Sequence, residues 1–250
     1  ENNKLLTELN DEVSEQKFQL EEVNKVKDKM FSIISHDLRS PISSVYMLMR
    51  MVEQGNMDKE KSLGMLRELT HEVNQALFLL NNLLTWTHIN INPTPPQFAE
   101  VALSEVINEN IDFFETEFHY KGLNIVSKVS DHMCVWVDKS MLHTILQNLL
   151  SNAIKFSHVD TSIEIDAKVI DKQIVLQITN QGQIIEKSKI DQLFEVGERL
   201  GKGTKNERGG GLGLYISNYY TEAMGGALNL KPYESGTIVE VTLNIPGKLS

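Results

Sequence analysis

The sequence predicts a multidomain chain: an all-α part, made of a coiled coil and a dimeric four-helix bundle, followed by an α+β sandwich. Three observations lead to this fold class. A heptad pattern opens the chain, a three- and four-residue apolar repeat extends it to about residue 88, and the pattern beyond a proline-rich segment changes to strands and shorter helices. With 250 residues, 41% of them hydrophobic, the chain can bury more than one core.

The opening heptads run from residue 1 to about residue 34. Seven of the nine seam positions are apolar, and neither Pro nor Gly interrupts them. A helix of this length spans about 50 Å and is unstable alone in water, so we expect a parallel coiled-coil dimer. One amphipathic helix packed on a globular core is the alternative. The seam positions are Leu6, Leu9, Val13, Gln16, Leu20, Val23, Lys27, Met30 and Ile34.

A helical hairpin is expected next. The first helix continues to Arg50 with a bend at Pro41, because proline removes one backbone hydrogen bond. A turn at residues 54–56 separates it from a second helix over about 58–88. Two such hairpins form a four-helix bundle when they dimerise.

The segment Asn92-Pro-Thr-Pro-Pro96 cannot be helical and marks a domain boundary. We therefore divide the chain into a coiled coil (1–30), a helical hairpin (31–91), a linker (92–97) and a sandwich (98–250). In the sandwich we expect helices over 103–120, 140–156 and 212–223, and strands over 123–129, 134–137, 162–169, 173–179, 227–230 and 237–245.

Composition excludes several classes of protein. The net charge of -10 argues against a nucleic-acid partner, whose phosphates would repel the chain. A single cysteine, Cys134, cannot build a disulfide framework within the chain. No window approaches the roughly 20 apolar residues of a membrane span.

The first candidate for chemistry is His36, in Phe31-Ser-Ile-Ile-Ser-His-Asp-Leu-Arg-Ser-Pro41. An ordinary imidazole has a pKa near 6.5, so about three quarters of it is the neutral nucleophile at pH 7. The neighbouring Asp37 can accept a hydrogen bond from one ring nitrogen and leave the other free to react. From these residues alone, a surface histidine with a structural role remains the alternative.

The second and third candidates are suited to a bound phosphate. Asn148, Asn152 and Lys155 share one helix face, a polar wall suited to a triphosphate and Mg²⁺, with a merely solvated face as the alternative. The glycine cluster at 209–213 directly precedes a helix, whose start favours anions, and follows a polar stretch (201–208) suited to a mobile lid. A flexible loop without a ligand is the alternative there.

Together and in this order, these strings resemble the sensor histidine kinases, over about residues 25–247. The resemblance implies that His36 is phosphorylated, that Asp37 is its base, and that Ser40, where the family usually has Thr or Asn, orients a water that hydrolyses phospho-aspartate. It also implies an ATP-binding sandwich in which Asn152 holds Mg²⁺. The other nucleotide-binding residues it implies are Asn148 and Lys155 beside the phosphates, Gly209, Gly211 and Gly213 in the lid and second glycine box, Phe194 as the anchor of the lid, and Thr237 after Gly236 in the closing turn.

The first glycine box departs from the family pattern, Asp-x-Gly-x-Gly. Here it is Asn180-Gln-Gly182-Gln-Ile184, so the aspartate that bonds the adenine amino group is an asparagine. Asn180 and Gly182 remain candidate nucleotide ligands. Because a neutral hydrogen bond is weaker than a charge-assisted one, we expect adenine affinity to fall about tenfold while binding survives.

The resemblance therefore implies a homodimeric protein-histidine kinase that uses ATP and Mg²⁺. It would pass the phosphoryl group to an aspartate in the receiver domain of a response regulator, and dephosphorylation of that aspartate is a further implied activity. The chain would be the cytoplasmic portion of a membrane-anchored bacterial sensor. One alternative is a weak or non-catalytic scaffold, or a phosphatase-dominant module, because Asn180 and Ile184 alter the nucleotide site. Another is an ATPase of the chaperone or topoisomerase kind, which has no acceptor histidine.

Overall fold

The computed structural model describes residues 13–17, 21, 38, 39, 42–53, 59–198, 201, 203, 204 and 211–247. Residues 13–17 and 42–53 are helical, and helix α1 (Lys59–Ile91) follows them. The second helix expected over 58–88 is thus present and ends three residues later. Most of the predicted coiled coil, the turn at 54–56 and the expected bend at Pro41 lie outside the described residues.

The chain leaves α1 at Ile91 and has no regular structure over residues 93–98. The last turn of α1 is closed by a hydrogen bond from the Asn92 backbone N–H to the His88 carbonyl, at 3.0 Å. The proline-rich residues that follow separate the long helix from the first strand, β1 (Ala99–Ala102).

A mixed sheet of five strands forms one layer of the sandwich, in the order β2-β4-β5-β7-β6. β2 and β4 are parallel and the other neighbours are antiparallel, so the pairing expected between the strands near 162–169 and 173–179 is confirmed. A separate two-stranded sheet joins β1 to β3. The strands are β2 (Asn124–Ser127), β3 (Cys134–Val137), β4 (Ser162–Ile170), β5 (Gln173–Gln181), β6 (Ala227–Tyr233) and β7 (Gly236–Asn244).

Four helices form the other layer: α2 (Leu103–Phe113), α3 (Glu115–Lys121), α4 (Lys139–Phe156) and α5 (Gly213–Ala223). The prediction of a single helix over 103–120 is wrong, because the first helix ends at Phe113 and Phe114 separates it from the next. The Phe114 ring is buried and meets the rings of Phe78 on α1 and of its neighbour Phe113 edge to face, with centroids 6.4 and 4.9 Å away. This aromatic packing outweighs the continuity of one helix.

Helix α4 carries the core of the sandwich. It packs against β5, α2 and α5, and its inner side chains are fully buried with those of β4, β5 and β7. Each such aliphatic side chain stabilises the fold by about 1.5–3 kcal/mol relative to an exposed one. The buried set on α4 is Leu142, Ile145, Leu146, Leu149 and Leu150.

Both ends of α4 are held by charged side chains. Asp138 caps the start: its Oδ1 accepts from the Ser140 and Met141 backbone N–H groups at 2.9 and 3.2 Å, and its Oδ2 accepts from the Gln97 backbone N–H at 2.8 Å. At the other end, the buried Lys121 ammonium donates to the last carbonyls of the helix. The helix is thereby fastened both to the linker and to α3.

In the part of the chain that the structure describes, no helix is both long and apolar enough to cross a bilayer.

Replacing Asp138 with Asn tests the charged cap. Burial raises the pKa of Asp138, but the hydrogen bonds from the Ser140 side chain and from three backbone N–H groups outweigh it and hold the pKa below its ordinary value. The carboxylate therefore stabilises the fold above pH of about 4, the ordinary aspartate pKa, and this contribution is lost as pH falls through the lower folded value.

We expect Asp138→Asn to lower the free energy of unfolding by about 1 kcal/mol at pH 7. The gap between wild type and variant should narrow as the pH falls below about 4, the ordinary aspartate pKa. Urea unfolding followed by circular dichroism measures both values. The exposed Asp131→Asn is the matched control, and a pH-independent gap at residue 138 would contradict the role of the charge.

Candidate functional site

An open cavity lies between α4, the sheet and the start of α5. A largely apolar wall with a few polar groups is typical of a small-molecule site. The apolar lining is Leu149, Ala153, Phe156, Ile178, Ile185, Leu214, Leu230 and Val239, and the polar lining is Asn152, Asn180, Gln183 and Thr237.

The polar end of the cavity lies where β5 ends beside the start of β7. Asn180 faces Thr237 across the two strands, and the Thr237 hydroxyl donates to the Gln183 carbonyl at 3.4 Å. Asn180 is 4% exposed, and its Nδ2 has no hydrogen-bond partner among the described residues. An unpaired buried donor costs free energy, so this amide is where a ligand gains most from a hydrogen bond.

The chain turns at Gly182 against the end of α4. Ser157 and Gly182 form an isolated antiparallel bridge, and a Cβ at position 182 would lie 1.8 Å from the Phe156 carbonyl oxygen. Only glycine permits this approach of two backbones. The close contact brings the β5 end and the Asn180 side chain beside the face of α4 that carries Asn152.

Asn148, one turn before Asn152, is 1% exposed and bonded to the long helix. Its Oδ1 accepts a hydrogen bond from Nδ2 of Asn82 on α1 at 3.0 Å, while its own Nδ2 has no partner among the described residues. A Cβ at Gly213 would lie 2.9 Å from the same Oδ1 atom. The Asn148 amide is therefore held between α1 and the start of α5.

An apolar contact fastens the same two helices. Trp86 and Ile89 of α1 form a buried cluster with Leu212 and Ile216 at the start of α5. The N-cap residue, Leu212, makes no side-chain capping bond among the described residues, and the first N–H groups of any helix have no intrahelical partner. Such a helix start attracts anions, and Leu214 of this turn already lines the cavity.

Residues at the end of α4 link the cavity to the segment predicted as a lid. The Lys155 ammonium lies 4.6 Å from the centre of the Phe156 ring. The Lys121 ammonium donates to the Ile154 and Lys155 carbonyls at 2.7 and 2.8 Å, and the Thr204 backbone N–H donates to the Lys155 carbonyl at 3.1 Å. Lys155 is thus anchored through its backbone.

The structure brings three of the predicted nucleotide ligands together in one cavity: Asn152, Asn180 and Thr237. Asn148, Gly182 and Gly213 lie directly beside residues that line it. Phe194 does not line the cavity; it ends a 3₁₀ turn (Asp191–Phe194) and packs on the core. Gly211 has a φ of 65°, next to the start of α5. His36, Asp37, Ser40 and Gly209 lie outside the described residues.

Three residues of the site were missed by the sequence analysis. Gln183 lines the cavity, Asn82 binds Asn148, and Lys121 holds the end of α4. Gln183 lies inside the first glycine box and was open to prediction. Asn82 and Lys121 act across 66 and 33 or more residues of sequence, so no local pattern marks them.

Among the residues that the structure describes, no three His, Cys, Asp or Glu side chains converge as a metal site. A Mg²⁺ ion in the cavity would therefore be held mainly by the Asn152 amide oxygen, by phosphate oxygens and by water. These are the oxygen ligands that Mg²⁺ prefers, and the position of Asn152 in the cavity wall fits this arrangement.

A long helix joined to a sandwich with an amide-lined cavity defines a nucleotide-binding protein of two parts. Comparison with known families agrees: residues 26–90 match the His Kinase A (phospho-acceptor) domain, and residues 137–247 match the Histidine kinase-, DNA gyrase B-, and HSP90-like ATPase domain. The chain belongs to the sensor histidine kinase family, whose members are ATP-dependent protein-histidine kinases.

Sequence relatives agree with this assignment. Sensor protein KdpD of Clostridium acetobutylicum is 28% identical over 235 residues, which cover 91% of this chain and 25% of KdpD. Sensor histidine kinase YcbM of Bacillus subtilis is 27% identical over 220 residues, 86% of this chain and 70% of YcbM. The chain thus spans about a quarter of KdpD and most of YcbM.

Histidine kinase ThkA, solved in complex with response regulator protein TrrA, has the same fold with a TM-score of 0.61 at 18% identity. The similarity covers 93% of this chain and 68% of that one.

Gly213→Ala tests the contact with Asn148. The added methyl group must displace a buried amide that is already bonded to Asn82, so we expect the affinity for Mg²⁺-ADP to fall about tenfold. Isothermal titration calorimetry measures the change. The matched control is Gly64→Ala in α1, where a Cβ meets open space; it should leave binding unchanged. Wild-type affinity in Gly213→Ala would show that binding does not need this position of Asn148.

Proposed function

We propose that this chain phosphorylates its own His36 with Mg²⁺-ATP and passes the phosphoryl group to an aspartate in the receiver domain of a response regulator. The observation that carries the proposal is the convergence of Asn152, Asn180 and Thr237 on one cavity, in a chain whose two parts match a phospho-acceptor domain and an ATPase domain.

In this proposal the apolar cavity holds the nucleotide base, with Asn180, Gly182 and Thr237 at its polar end. Asn152 holds Mg²⁺. The phosphates are bound by side chains and backbone groups on both sides of the cavity, and Phe194 anchors the segment that closes over them. The phosphate-binding residues are Asn148, Lys155, Gly209, Gly211 and Gly213.

Bound ATP supplies the γ-phosphoryl group. One ring nitrogen of His36 forms the new bond to the γ-phosphorus while the bond from that phosphorus to the β–γ bridging oxygen breaks, and ADP leaves. Asp37 orients the ring and accepts the proton from its other nitrogen. Ser40 orients the water that hydrolyses phospho-aspartate on the partner. Since positioning is most of phosphoryl-transfer catalysis, the contribution of the sandwich is to present the nucleotide to the helix that bears His36.

We also propose that the chain is a homodimer, because α1 exposes an apolar seam. Residues at spacings of four and three are exposed along one face, as in a coiled coil or helix bundle. Leu77 and Leu84 are 51% and 59% exposed. The seam is Leu66, Thr70, Val73, Leu77, Leu80 and Leu84, and residues 42–53 add further exposed apolar side chains.

The domain limits proposed for this function are a coiled-coil signalling helix (1–30), a dimerisation and phosphotransfer hairpin (31–91), a linker (92–97) and an ATP-binding domain (98–250). The complex of ThkA with TrrA supports a response regulator as the partner. The relatives are named sensor proteins, which supports placing this chain on the cytoplasmic side of a membrane-anchored sensor.

Labelling with γ-³²P-ATP tests the acceptor and the metal ligand together. We expect acid-labile, base-stable label on the wild type and none on His36→Gln, although His36→Gln still binds ADP. Asn152→Ala should lower labelling about 100-fold, the usual effect of removing one group that stabilises transition-state charge. The controls are His132→Gln and Asn229→Ala, both exposed and outside the motifs. Label that persists on His36→Gln would refute the acceptor assignment.

Leu77→Lys tests the dimer. A charge in the middle of the seam must be desolvated in the dimer, so we expect a shift towards monomer in sedimentation-equilibrium measurements at micromolar concentration. Glu68→Lys, on the opposite face of α1, is the control for a new lysine and should remain dimeric. A monomeric wild type would contradict the proposed assembly.

A further inference from the structure

The polar side chains that the structure describes in the cavity wall are uncharged. Among the described residues, the lining includes amides and a hydroxyl but no carboxylate and no ammonium group. Recognition of a base there depends on uncharged hydrogen-bonding groups. A lining without charged groups does not repel bases that present an acceptor where adenine presents a donor, so it discriminates less between bases.

Asn180 is the best-placed of these groups. Its backbone is paired on both sides, with Ile163 of β4 and with Thr237 of β7, so its Cα position is fixed by the sheet. Its buried Nδ2 has no hydrogen-bond partner among the described residues. The amide can still turn over, because the terminal torsion of asparagine has a broad, two-fold preference.

An amide presents a donor and an acceptor side by side. The edge of a 6-aminopurine presents a donating amino group and an accepting N1, whereas that of a 6-oxopurine presents an accepting oxygen and a donating N1–H. The amide matches the first edge in one orientation and the second after turning over. A carboxylate accepts only, so it bonds the amino group but faces the oxygen of a 6-oxopurine without a donor.

Resting on the nucleotide-binding role proposed above, we propose that Asn180 makes this site accept 6-oxopurine nucleotides as well as 6-aminopurine nucleotides. Asn180 is then a specificity-determining residue of the kinase. Its exchange for aspartate converts the site to one that selects adenine.

Calorimetry with ADP and inosine diphosphate, each with Mg²⁺, tests the proposal on the full chain. The two ligands differ at the edge of the base and carry no transferable γ-phosphoryl group, so turnover does not interfere. For wild type we expect dissociation constants within about threefold of each other. For Asn180→Asp we expect inosine diphosphate to bind about tenfold or more weakly than ADP, because the carboxylate accepts from the amino group of adenine but has no donor for the oxygen of hypoxanthine.

Two further variants complete the design. Asn229→Asp makes the same amide-to-carboxylate change at an exposed position of β6 and should keep the wild-type ratio. Asn180→Ala removes donor and acceptor together and should weaken both ligands by similar factors. This variant keeps the test decisive if Asn180→Asp fails to fold, which circular dichroism reports.

The outcomes separate the two levels of the proposal. If wild type binds ADP but binds inosine diphosphate more than about 30-fold more weakly, dual recognition is overturned while nucleotide binding stands. An unchanged ratio in folded Asn180→Asp, or a selective loss of ADP in Asn180→Ala, overturns the role of Asn180. If wild type binds neither ligand, the proposed nucleotide site itself fails.

Discussion

Helix α4 is held in place by the burial of its apolar side chains against the sheet, and every part of the candidate site is positioned through this contact. The inner face contributes Leu142, Leu146 and Leu150 to the core. Asn148 and Asn152 lie on another side of the helix, so packing of the inner face fixes the direction in which both amides point. The caps at Asp138 and Lys121 prevent the ends from fraying, and the amides therefore keep their positions without a ligand.

The long helix has two distinct faces. Its apolar seam, with Leu77 at the centre, is exposed, whereas Asn82, Trp86 and Ile89 on the other side contact the sandwich. Docking of the sandwich therefore leaves the seam exposed for the proposed dimer. A change in bundle packing that moves α1 would reach Asn148 through a single hydrogen bond and the start of α5 through one apolar cluster. Through these contacts, a change in helix packing can shift the fraction of molecules in which the sandwich is in contact with α1.

Local patterns predicted most of the elements because their signals lie within one turn or one strand. The prolines at 93, 95 and 96 mark the linker, and the alternation over 162–181 marks two antiparallel strands. The break at Phe114 escaped prediction because it has no Gly or Pro, and the Phe114 ring there packs against Phe78 of α1, 36 residues earlier. Asn152, Asn180 and Thr237 were found by their motifs. Asn82 was not, since its role depends on where α1 meets α4.

Two buried amide donors beside the site, on Asn148 and on Asn180, have no hydrogen-bond partner in the part of the chain that the structure describes, although buried polar groups in proteins are usually paired. Each such donor lowers the free energy of unfolding, so a sequence selected for stability alone would replace them with apolar side chains. Their positions beside an apolar cavity and beside an uncapped helix start give them a use, because a base edge and a phosphate both offer acceptors. A ligand that supplies those acceptors removes the free-energy cost of the two unpaired donors. The unpaired donors thus lower the stability of the sandwich without ligand and raise its affinity for a ligand. Such exchanges of stability for function are expected where a packing or hydrogen-bonding rule is broken at a functional site.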